Sequence, residues 1–333
     1  MSSTDTRISQ FSWIRVIACL AIVLLHTLDN SLSYFADTVT AGESLAVRIT
    51  TSLLMWAVPC FLMVTGALLL DPARRIPLSK LFGKYIRRVF TALVFFTFVF
   101  TLIKYAAGEK PDIFFSFLKD LWQCTSMSYL WYLYLMIGLY LMMPFYKMVA
   151  DAASDGMLVM LTAVLLLFTS VIQLTDYAGM TSGFYIPTGV VYPAYLFIGY
   201  LLYRRNMSAG CAIALLAVCC AAAVILTVKF GASDVDMNGL TGYRSPFTAG
   251  MSAAVFSLML RIKAPAGELV TGIDSCSFGI YLIHMLGVRL VMKELGFDPY
   301  AYGPFGFIGL TIVFFIGAYA LTFAVRKLPG NLL

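Results

Sequence analysis

Long apolar runs separated by short polar segments make up most of the chain. The runs extend over roughly 17 to 25 residues, the length of helix that crosses a ~30 Å hydrocarbon core. The ~10-residue alternating strands of an outer-membrane barrel are not seen in the sequence. The pattern therefore predicts an all-α integral membrane protein, a bundle of about ten transmembrane helices. The predicted spans are 11–28, 46–70, 86–106, 128–149, 156–174, 185–203, 210–229, 244–261, 272–290 and 305–325.

Composition agrees with a membrane protein. Hydrophobic residues make up 61% and charged residues 12% of the 333 positions, and the mean hydropathy is +0.87. A soluble domain has a charged share of about 25%. The first run lacks a convincing small-residue cleavage site, so it is predicted to be a retained helix and not a signal peptide. Without a repeat or a long soluble segment, residues 1–333 are predicted to form a single transmembrane domain.

The distribution of basic residues predicts the orientation. Most of the 23 Lys and Arg residues fall in alternate segments: the N-terminus, 71–88, 147–155, 204–209, 261–268 and the C-terminus. Basic segments stay in the cytoplasm, which makes both termini cytoplasmic. The net charge of +6 is then explained by topology, and no nucleic-acid partner is predicted.

Cysteine and histidine usage does not indicate a metal site. The seven cysteines fall mainly within the spans and form no CxxC pair, and the chain has two histidines. Buried cysteines of this kind behave as small apolar residues. No metal cofactor is predicted.

Arg15 and His26 interrupt the first apolar span. Eleven residues of α-helix make three turns plus about 20°, so both side chains project from nearly the same face, separated by about 16 Å. Ionisable residues inside a membrane usually face a bundle interior or a watery cavity, where they mark function. In the alternative interpretation, Arg15 extends to the interface and His26 is a hydrogen-bonded structural residue.

A dense basic segment precedes the third span. Its Lys and Arg residues are Arg74, Arg75, Lys80, Lys84, Arg87 and Arg88. Lys84, Arg87 and Arg88 have the spacing i, i+3, i+4, which groups them on one helix face where they could hold phosphates. A cytosolic phosphorylated cofactor is the more specific interpretation; enforcement of topology or contact with anionic lipid is the alternative.

The ordered set of these motifs resembles the acyltransferase-3 family of membrane acyltransferases. The set consists of the R-x10-H spacing of Arg15 and His26, VPCFLMVTGALLL at 58–70, K-x-x-R at Lys84 and Arg87, YLWYLYLMIGLYLMMP at 129–144, and SFGIYLIHMLG at 277–287. Lys84 stands where the family usually has arginine, and Tyr129 stands where it often has histidine. The matching motifs are spread over most of the chain.

The resemblance implies an enzyme of the plasma (inner) membrane with ten helices. Such an enzyme transfers an acyl group, commonly acetyl from acetyl-CoA, to a hydroxyl of a cell-surface glycan or lipid-linked sugar. By the same resemblance, His26 is catalytic with Arg15 as its functional partner, and Lys84 and Arg87 belong to the donor site. The lipid bilayer, acyl-CoA and the acceptor are then the partners.

The chemistry of these residue types agrees with acyl transfer. A buried neutral imidazole at His26 could act as general base towards an acceptor hydroxyl, or it could carry the acyl group as a nucleophile. Asp29 could orient the ring, although a carboxylate facing outer water is the simpler interpretation. Arg15 could pair with a phosphate or pantetheine amide, or stabilise the charge that develops on the thioester.

Four further residues are weaker candidates for binding the acceptor. Trp131 and Tyr132 could stack on a sugar ring, or they could belong to the outer aromatic belt. His284, with Tyr281 one turn earlier, could line the acceptor path or serve as a structural hydrogen-bonding residue.

A transporter is the alternative function. Helices interrupted by glycine and proline around a buried charge also describe solute carriers, and Pro59, Gly66, Pro187 and Gly189 could supply such breaks. The collection of basic residues in one segment, and the absence of two similar halves, favour the acyltransferase.

Overall fold

The computed structural model describes residues 9–74, 77–180, 182–183, 191–231 and 237–327, which contain helices, turns and loops but no strand. The predicted all-α class is confirmed. The α-helices are α1 (Ser9–Tyr34), α2 (Ala41–Leu54), α3 (Ala57–Leu69), α4 (Leu78–Lys80), α5 (Arg87–Ala106), α6 (Phe114–Gln123), α7 (Trp131–Ala152), α8 (Asp155–Leu166), α9 (Tyr192–Arg204), α10 (Ala209–Phe230), α11 (Met237–Leu240), α12 (Pro246–Met259), α13 (Glu268–Val288) and α14 (Gly303–Val325). Segments Leu81–Ile86, Leu167–Val171 and Arg289–Glu294 are π-helical, and Ser128–Leu130, Ile172–Ala178 and Pro299–Tyr302 are 3₁₀-helical.

Within the described ranges, eight helical stretches are long and apolar enough to cross a membrane. They are Ser9–Tyr34, Ala41–Leu69, Leu78–Ala106, Ser128–Ala152, Asp155–Tyr177, Ala209–Phe230, Glu268–Glu294 and Pro299–Val325. Each coincides with a predicted span. The sixth and eighth predicted spans contain shorter helices, α9 with 13 residues and α12 with 14, so the number ten stays a prediction. Pro187 and Gly189 lie outside the described residues.

The second predicted span is a broken helix. α2 and α3 are separated by a turn at Met55 and Trp56. Pro59 stands in the first turn of α3 and has no backbone N–H to donate to the carbonyl of Met55, four residues earlier. The backbone N–H of Cys60 donates to the carbonyl of Trp56 over 3.1 Å and starts the new helix. The proline therefore explains why α2 does not continue into α3.

The chain divides into two compact units. Unit 1 comprises Met1–Asp71 and Ala153–Phe323, and unit 2 comprises Pro72–Ala152 and Ala324–Leu333. In unit 1, α1 packs against α2, α3, α12 and α13, while α9 packs against α3 and α10 packs against α2 and α12. In unit 2, α5 packs against α6 and α7.

The crossing of α3 and α9 brings two backbones into contact. A Cβ atom at Gly66 would lie 2.0 Å from the carbonyl oxygen of Leu196, and one at Gly199 would lie 2.1 Å from that of Met63. No side chain fits at such distances, so glycine is required at both positions. Small residues allow this close approach between membrane helices.

α1 and α13 run parallel to each other. The polar contacts between them rise together along both helices, from Ser12 with Asp274 at one end to His26 with His284 at the other. If two helices cross the membrane in the same direction, the chain between them must cross the membrane an odd number of times. Five of the eight long spans lie between α1 and α13, and seven do if α9 and α12 also cross. α9 and α12 therefore either both cross the membrane or both do not.

The short helix α6 in unit 2 has a buried polar anchor and an exposed aromatic face. Asp120 is fully buried, whereas Phe114, Phe115 and Trp122 are exposed. Asp120 accepts hydrogen bonds from Lys110 Nζ (3.0 Å) and from Thr125 Oγ1 (2.8 Å). An amphipathic helix with exposed aromatic side chains is typical of the membrane interface.

Candidate active site

The α1–α13 pair positions the two most distinctive residues of the first span. Both helices are long, and both belong to unit 1. Arg15 and His26 project from α1 towards α13, where each meets an ionisable partner. The near alignment of the two side chains along one face of α1 follows from their eleven-residue spacing. The site consists of an ionic contact at one level and a contact between two imidazoles at another.

Asp274 holds Arg15 at the first level. Arg15 Nη1 lies 3.2 Å from Asp274 Oδ1 and 3.3 Å from Oδ2, and Ser12 Oγ donates to Oδ2 over 2.7 Å. The side chain of Asp274 is 2% exposed and that of Arg15 is 22% exposed. A buried carboxylate is tolerated because it is paired and hydrogen-bonded. The pair fixes the N-terminal part of α1 against α13.

At the second level, the two histidines of the chain contact each other. His26 Nδ1 lies 2.8 Å from His284 Nε2. The rings are within 7° of parallel, with centroids 5.1 Å apart. Because the centroid separation equals the N–N distance plus about one ring radius on each side, the rings lie edge to edge and not face to face. This is the geometry of a hydrogen bond between coplanar imidazoles.

The backbone of α13 determines which nitrogen donates. His284 Nδ1 lies 3.0 Å from the carbonyl oxygen of Ile280, and a carbonyl can only accept, so His284 Nδ1 carries a proton. In neutral His284 the other nitrogen, Nε2, then accepts from His26 Nδ1–H. In the resting state His284 is assigned the neutral form, because a charged ring would place an additional positive charge in a residue that is 1% exposed. In neutral His26, the proton sits on Nδ1 and Nε2 carries the basic lone pair.

The surroundings differ between the two rings. His26 is partly exposed, whereas His284 is buried. On α1, Asn30 Nδ2 donates to the His26 carbonyl over 2.8 Å. At the next residue, Ser31 Oγ lies 2.8 Å from the hydroxyl of Tyr300. These contacts fix the backbone of α1 around His26.

The remaining candidates of unit 1 have less direct roles in this geometry. Asp29 is exposed and interacts electrostatically with Arg48, whereas the ring of His26 contacts His284 through Nδ1. The ring of Tyr281 is buried, with its centroid 6.2 Å from that of His284. Both roles, orientation by Asp29 and acceptor binding by Tyr281, stay predictions.

The basic segment belongs to unit 2. Lys84, Arg87 and Arg88 are exposed and Arg74 is partly exposed, whereas Arg75 lies outside the described residues. Lys84 falls within the π-helical segment, and Arg87 begins α5. The i, i+3, i+4 spacing describes one face of an uninterrupted α-helix, whereas a π-helix has more residues per turn. The grouping of the three cations on one face therefore stays a prediction.

Trp131 and Tyr132 open the fourth span of unit 2. Both are partly exposed, and their rings meet edge to face with centroids 6.1 Å apart. The 3₁₀ turn Ser128–Leu130 precedes them, and Tyr129 within it is buried against Phe100. Their predicted stacking on an acceptor stays a prediction.

Sequence reasoning missed Asp274. It is an acidic residue within the ninth predicted span, and an intramembrane carboxylate is itself a signal for a functional or paired residue. His284 was named, but its contact with His26 was not. In the part of the chain that the structure describes, no group of three or more His, Cys, Asp or Glu residues could hold a metal ion.

Comparison with known proteins identifies a family. A family model described as an acyltransferase domain matches residues 8–329, which include every candidate residue discussed above and parts of both units. No curated protein and no solved structure matches the chain. The single domain over residues 1–333 stays a prediction.

Proposed function

Because the chain belongs to the acyltransferase-3 family, whose model matches residues 8–329, we propose that it is a membrane-embedded O-acyltransferase using acetyl-CoA. The acceptor is a hydroxyl of a cell-surface glycan or lipid-linked sugar. Membership confirms the family predicted from the sequence motifs, and the eight apolar helices agree with a multi-pass membrane protein. It also favours acyl transfer over the transporter alternative.

One observation carries the catalytic assignment. The hydrogen bond at His26 Nδ1 leaves Nε2 as the basic nitrogen of a partly exposed ring, which is what a general base for a hydroxyl requires. In the proposed reaction, Nε2 takes the hydroxyl proton while the hydroxyl oxygen attacks the thioester carbonyl. Collapse of the tetrahedral intermediate breaks the C–S bond, and the His26 imidazolium returns the proton to the CoA thiolate.

The same nitrogen would serve the covalent route. If Nε2 attacked the thioester directly, an acyl-imidazole would form and the acceptor would react with it in a second step. The routes can be separated by incubating the protein with acetyl-CoA but no acceptor, quenching the reaction and measuring the protein mass. Only the covalent route adds an acetyl group to His26. We propose direct transfer because His26 then removes the proton of the acceptor hydroxyl itself, and no second base is needed.

The donor is assigned to the basic segment of unit 2. CoA carries several phosphate charges, and the exposed cations Lys84, Arg87 and Arg88 supply a cationic surface for them. The segment is placed on the cytoplasmic side of the plasma membrane by the basic-residue rule, the side on which acetyl-CoA is available. Arg15 is assigned a structural role, because its ion pair with Asp274 holds α1, which carries His26, against α13.

The test of the catalytic assignment measures CoA release from acetyl-CoA by the purified protein. His26→Ala should lower the rate by about 10²-fold to 10⁴-fold, the usual contribution of a general base, while binding acetyl-CoA normally. A His26→Ala protein that turns over at the wild-type rate would remove the assignment.

The donor assignment has a separate test by calorimetric titration with acetyl-CoA. The double substitution Arg87→Ala, Arg88→Ala should weaken binding at least tenfold at low salt, because each charged contact contributes about 1.5 kcal/mol or more. Lys147→Ala is the matched control, since Lys147 lies in the same unit but pairs with Asp151 over 2.6 Å. Equal affinity of the double variant and the control would refute the donor site.

A further inference from the structure

The two histidines form a hydrogen-bonded chain that ends on the backbone of α13. Ile280 accepts from His284 Nδ1 over 3.0 Å, and His284 Nε2 accepts from His26 Nδ1 over 2.8 Å. Ile280 lies four residues before His284 on the same helix, so this hydrogen bond fixes the orientation of the His284 ring relative to α13. Each ring carries one N–H, and both N–H groups point towards the carbonyl of Ile280: His26 donates to His284, and His284 donates to Ile280.

We infer that His284 is the positioning residue for His26, with two tasks. It holds His26 in the tautomer that presents Nε2 as the base, and it shares the proton that His26 gains during the reaction. The inference rests on the proposed role of His26 as general base. It assigns to a neutral imidazole the place that a carboxylate has beside histidine in hydrolase triads.

The proton balance closes within the pair. When Nε2 of His26 takes the proton of the acceptor hydroxyl, the proton on His26 Nδ1 can move to His284 Nε2. His26 is then neutral again and His284 is an imidazolium, whose Nδ1–H still donates to Ile280. Both transfers reverse when the CoA thiolate takes its proton from His26 Nε2, so the pair returns to its starting state and no further co-reactant is needed.

Burial and geometry favour this role over a simple packing contact. His284 is 1% exposed, so water does not compete for its Nε2, whereas His26 is partly exposed. The rings are within 7° of parallel and lie edge to edge. In-plane alignment directs the N–H of one ring at the lone pair of the other, which packing alone does not require.

Nitrogen-15 NMR can read the tautomer directly because the chain has only two histidines. Histidine-labelled protein is purified with a tag that contains no histidine. In His284→Leu and His284→Gln, the only labelled ring is that of His26. Glutamine can still accept from His26 Nδ1–H through its side-chain oxygen, whereas leucine offers no acceptor.

The expected result is a graded series. His284→Gln keeps His26 in the Nδ1–H tautomer but lowers CoA release about tenfold, because an amide oxygen does not take up the proton. His284→Leu loses the single tautomer and lowers CoA release about 100-fold or more, with unchanged affinity for acetyl-CoA. Leu282→Met, a volume-conserving change of a fully buried neighbour on α13, keeps both properties.

Two results would overturn the inference. One is a His284→Leu protein with CoA release within threefold of wild type; the other is a His26 tautomer that is the same in the wild type, His284→Gln and His284→Leu. If His284→Leu does not fold, a His284→Gln protein with His26 in the Nε2–H tautomer has the same consequence. Failure of the proposed function gives a different pattern, in which His26→Ala retains turnover while the tautomer still depends on residue 284.

Discussion

The ion pair of Arg15 and Asp274 joins the N-terminal ends of α1 and α13. Asp274→Asn preserves the shape of the side chain but removes its charge. Breaking a buried ion pair by removing one partner costs about 3–5 kcal/mol. Arg15 is 22% exposed, and water compensates part of the loss, so a decrease of about 2 kcal/mol in unfolding free energy is expected. Thermal unfolding in detergent should show a lower melting temperature.

The matched control is the exposed ion pair of Arg204 and Asp155, whose side chains are 44% and 48% exposed. Asp155→Asn should change the unfolding free energy by about 1 kcal/mol or less, since exposed pairs contribute little. Equal melting temperatures for Asp274→Asn and Asp155→Asn would contradict the importance given to the buried pair.

At the scale of residues, helical periodicity identified which side chains lie on the same side of a helix, but not which residues of other helices they contact. The eleven-residue spacing of Arg15 and His26 follows from α-helical geometry. Their partners Asp274 and His284 are about 260 residues away in sequence. The pairing of α1 with α13 depends on how the helices pack, and hydrophobic periodicity contains no information about that choice. Arg15 and His26 could therefore be selected from their spacing, whereas their contacts with Asp274 and His284 follow only from the packing of α1 on α13.

The crossing of α3 and α9 is the most constrained contact between two elements. Gly66→Ala would place a Cβ 2.0 Å from a carbonyl oxygen of α9. The two helices must then separate, and a loss of about 1–3 kcal/mol or more is expected, as for overpacked cores. The melting temperature should fall and the yield of monodisperse protein should decrease.

Gly138→Ala is the comparison for this change. Gly138 is an exposed position within α7 where an added Cβ meets nothing within 4 Å. Alanine is the better helix former there by roughly 0.5–1 kcal/mol, so stability should be unchanged or higher. A Gly66→Ala protein as stable as Gly138→Ala would show that the backbones of α3 and α9 do not touch.

The anchoring of α6 should depend on pH. Burial raises the pKa of Asp120, but hydrogen bonds from Lys110 and Thr125 and the charges of Lys110 and Lys104 outweigh it, so this pKa lies below its ordinary value. The stabilisation is present above the ordinary pKa of about 3.9 and is lost as pH falls through the lowered folded value. Hydrogen exchange of Phe114–Gln123, corrected for its intrinsic pH dependence, should accelerate in that acidic window.

Asp120→Asn tests the source of this acid response. Without the carboxylate, α6 should exchange faster than in the wild type at neutral pH and should show no further acid transition. An identical acid transition in the wild type and in Asp120→Asn would assign the response to another group.

At the scale of elements, apolar run length predicted the long helices but not their internal irregularities. The break before Pro59 is a local backbone effect within a continuous apolar run, which a hydropathy window averages out. The π-helical segment around Lys84 arises from packing and has no reliable sequence signal. The spacing of charged residues therefore predicts a shared helix face only where the helix keeps regular α-helical winding.

For the whole molecule, the parallel course of α1 and α13 restricts the topology. If α9 and α12 both cross the membrane, the segment before α10 lies on the same side as the segment before α13. Arg204 and Arg205 favour that arrangement. In a Cys211→Ser background, Ala209→Cys and Ala264→Cys should then react with an impermeant thiol reagent from one side and Ala36→Cys from the other. Labelling of Ala209→Cys from the same side as Ala36→Cys would mean that neither α9 nor α12 crosses.

The central claim is that His26 supplies the base for acyl transfer, and chemical rescue tests it most directly. The measurement is the rate of CoA release by His26→Ala with and without added imidazole, which can reach a ring position that is partly exposed in the wild type. The account predicts a rate at least about 10²-fold below wild type, restored in part by imidazole in proportion to its unprotonated fraction. A wild-type rate in His26→Ala without imidazole would contradict it.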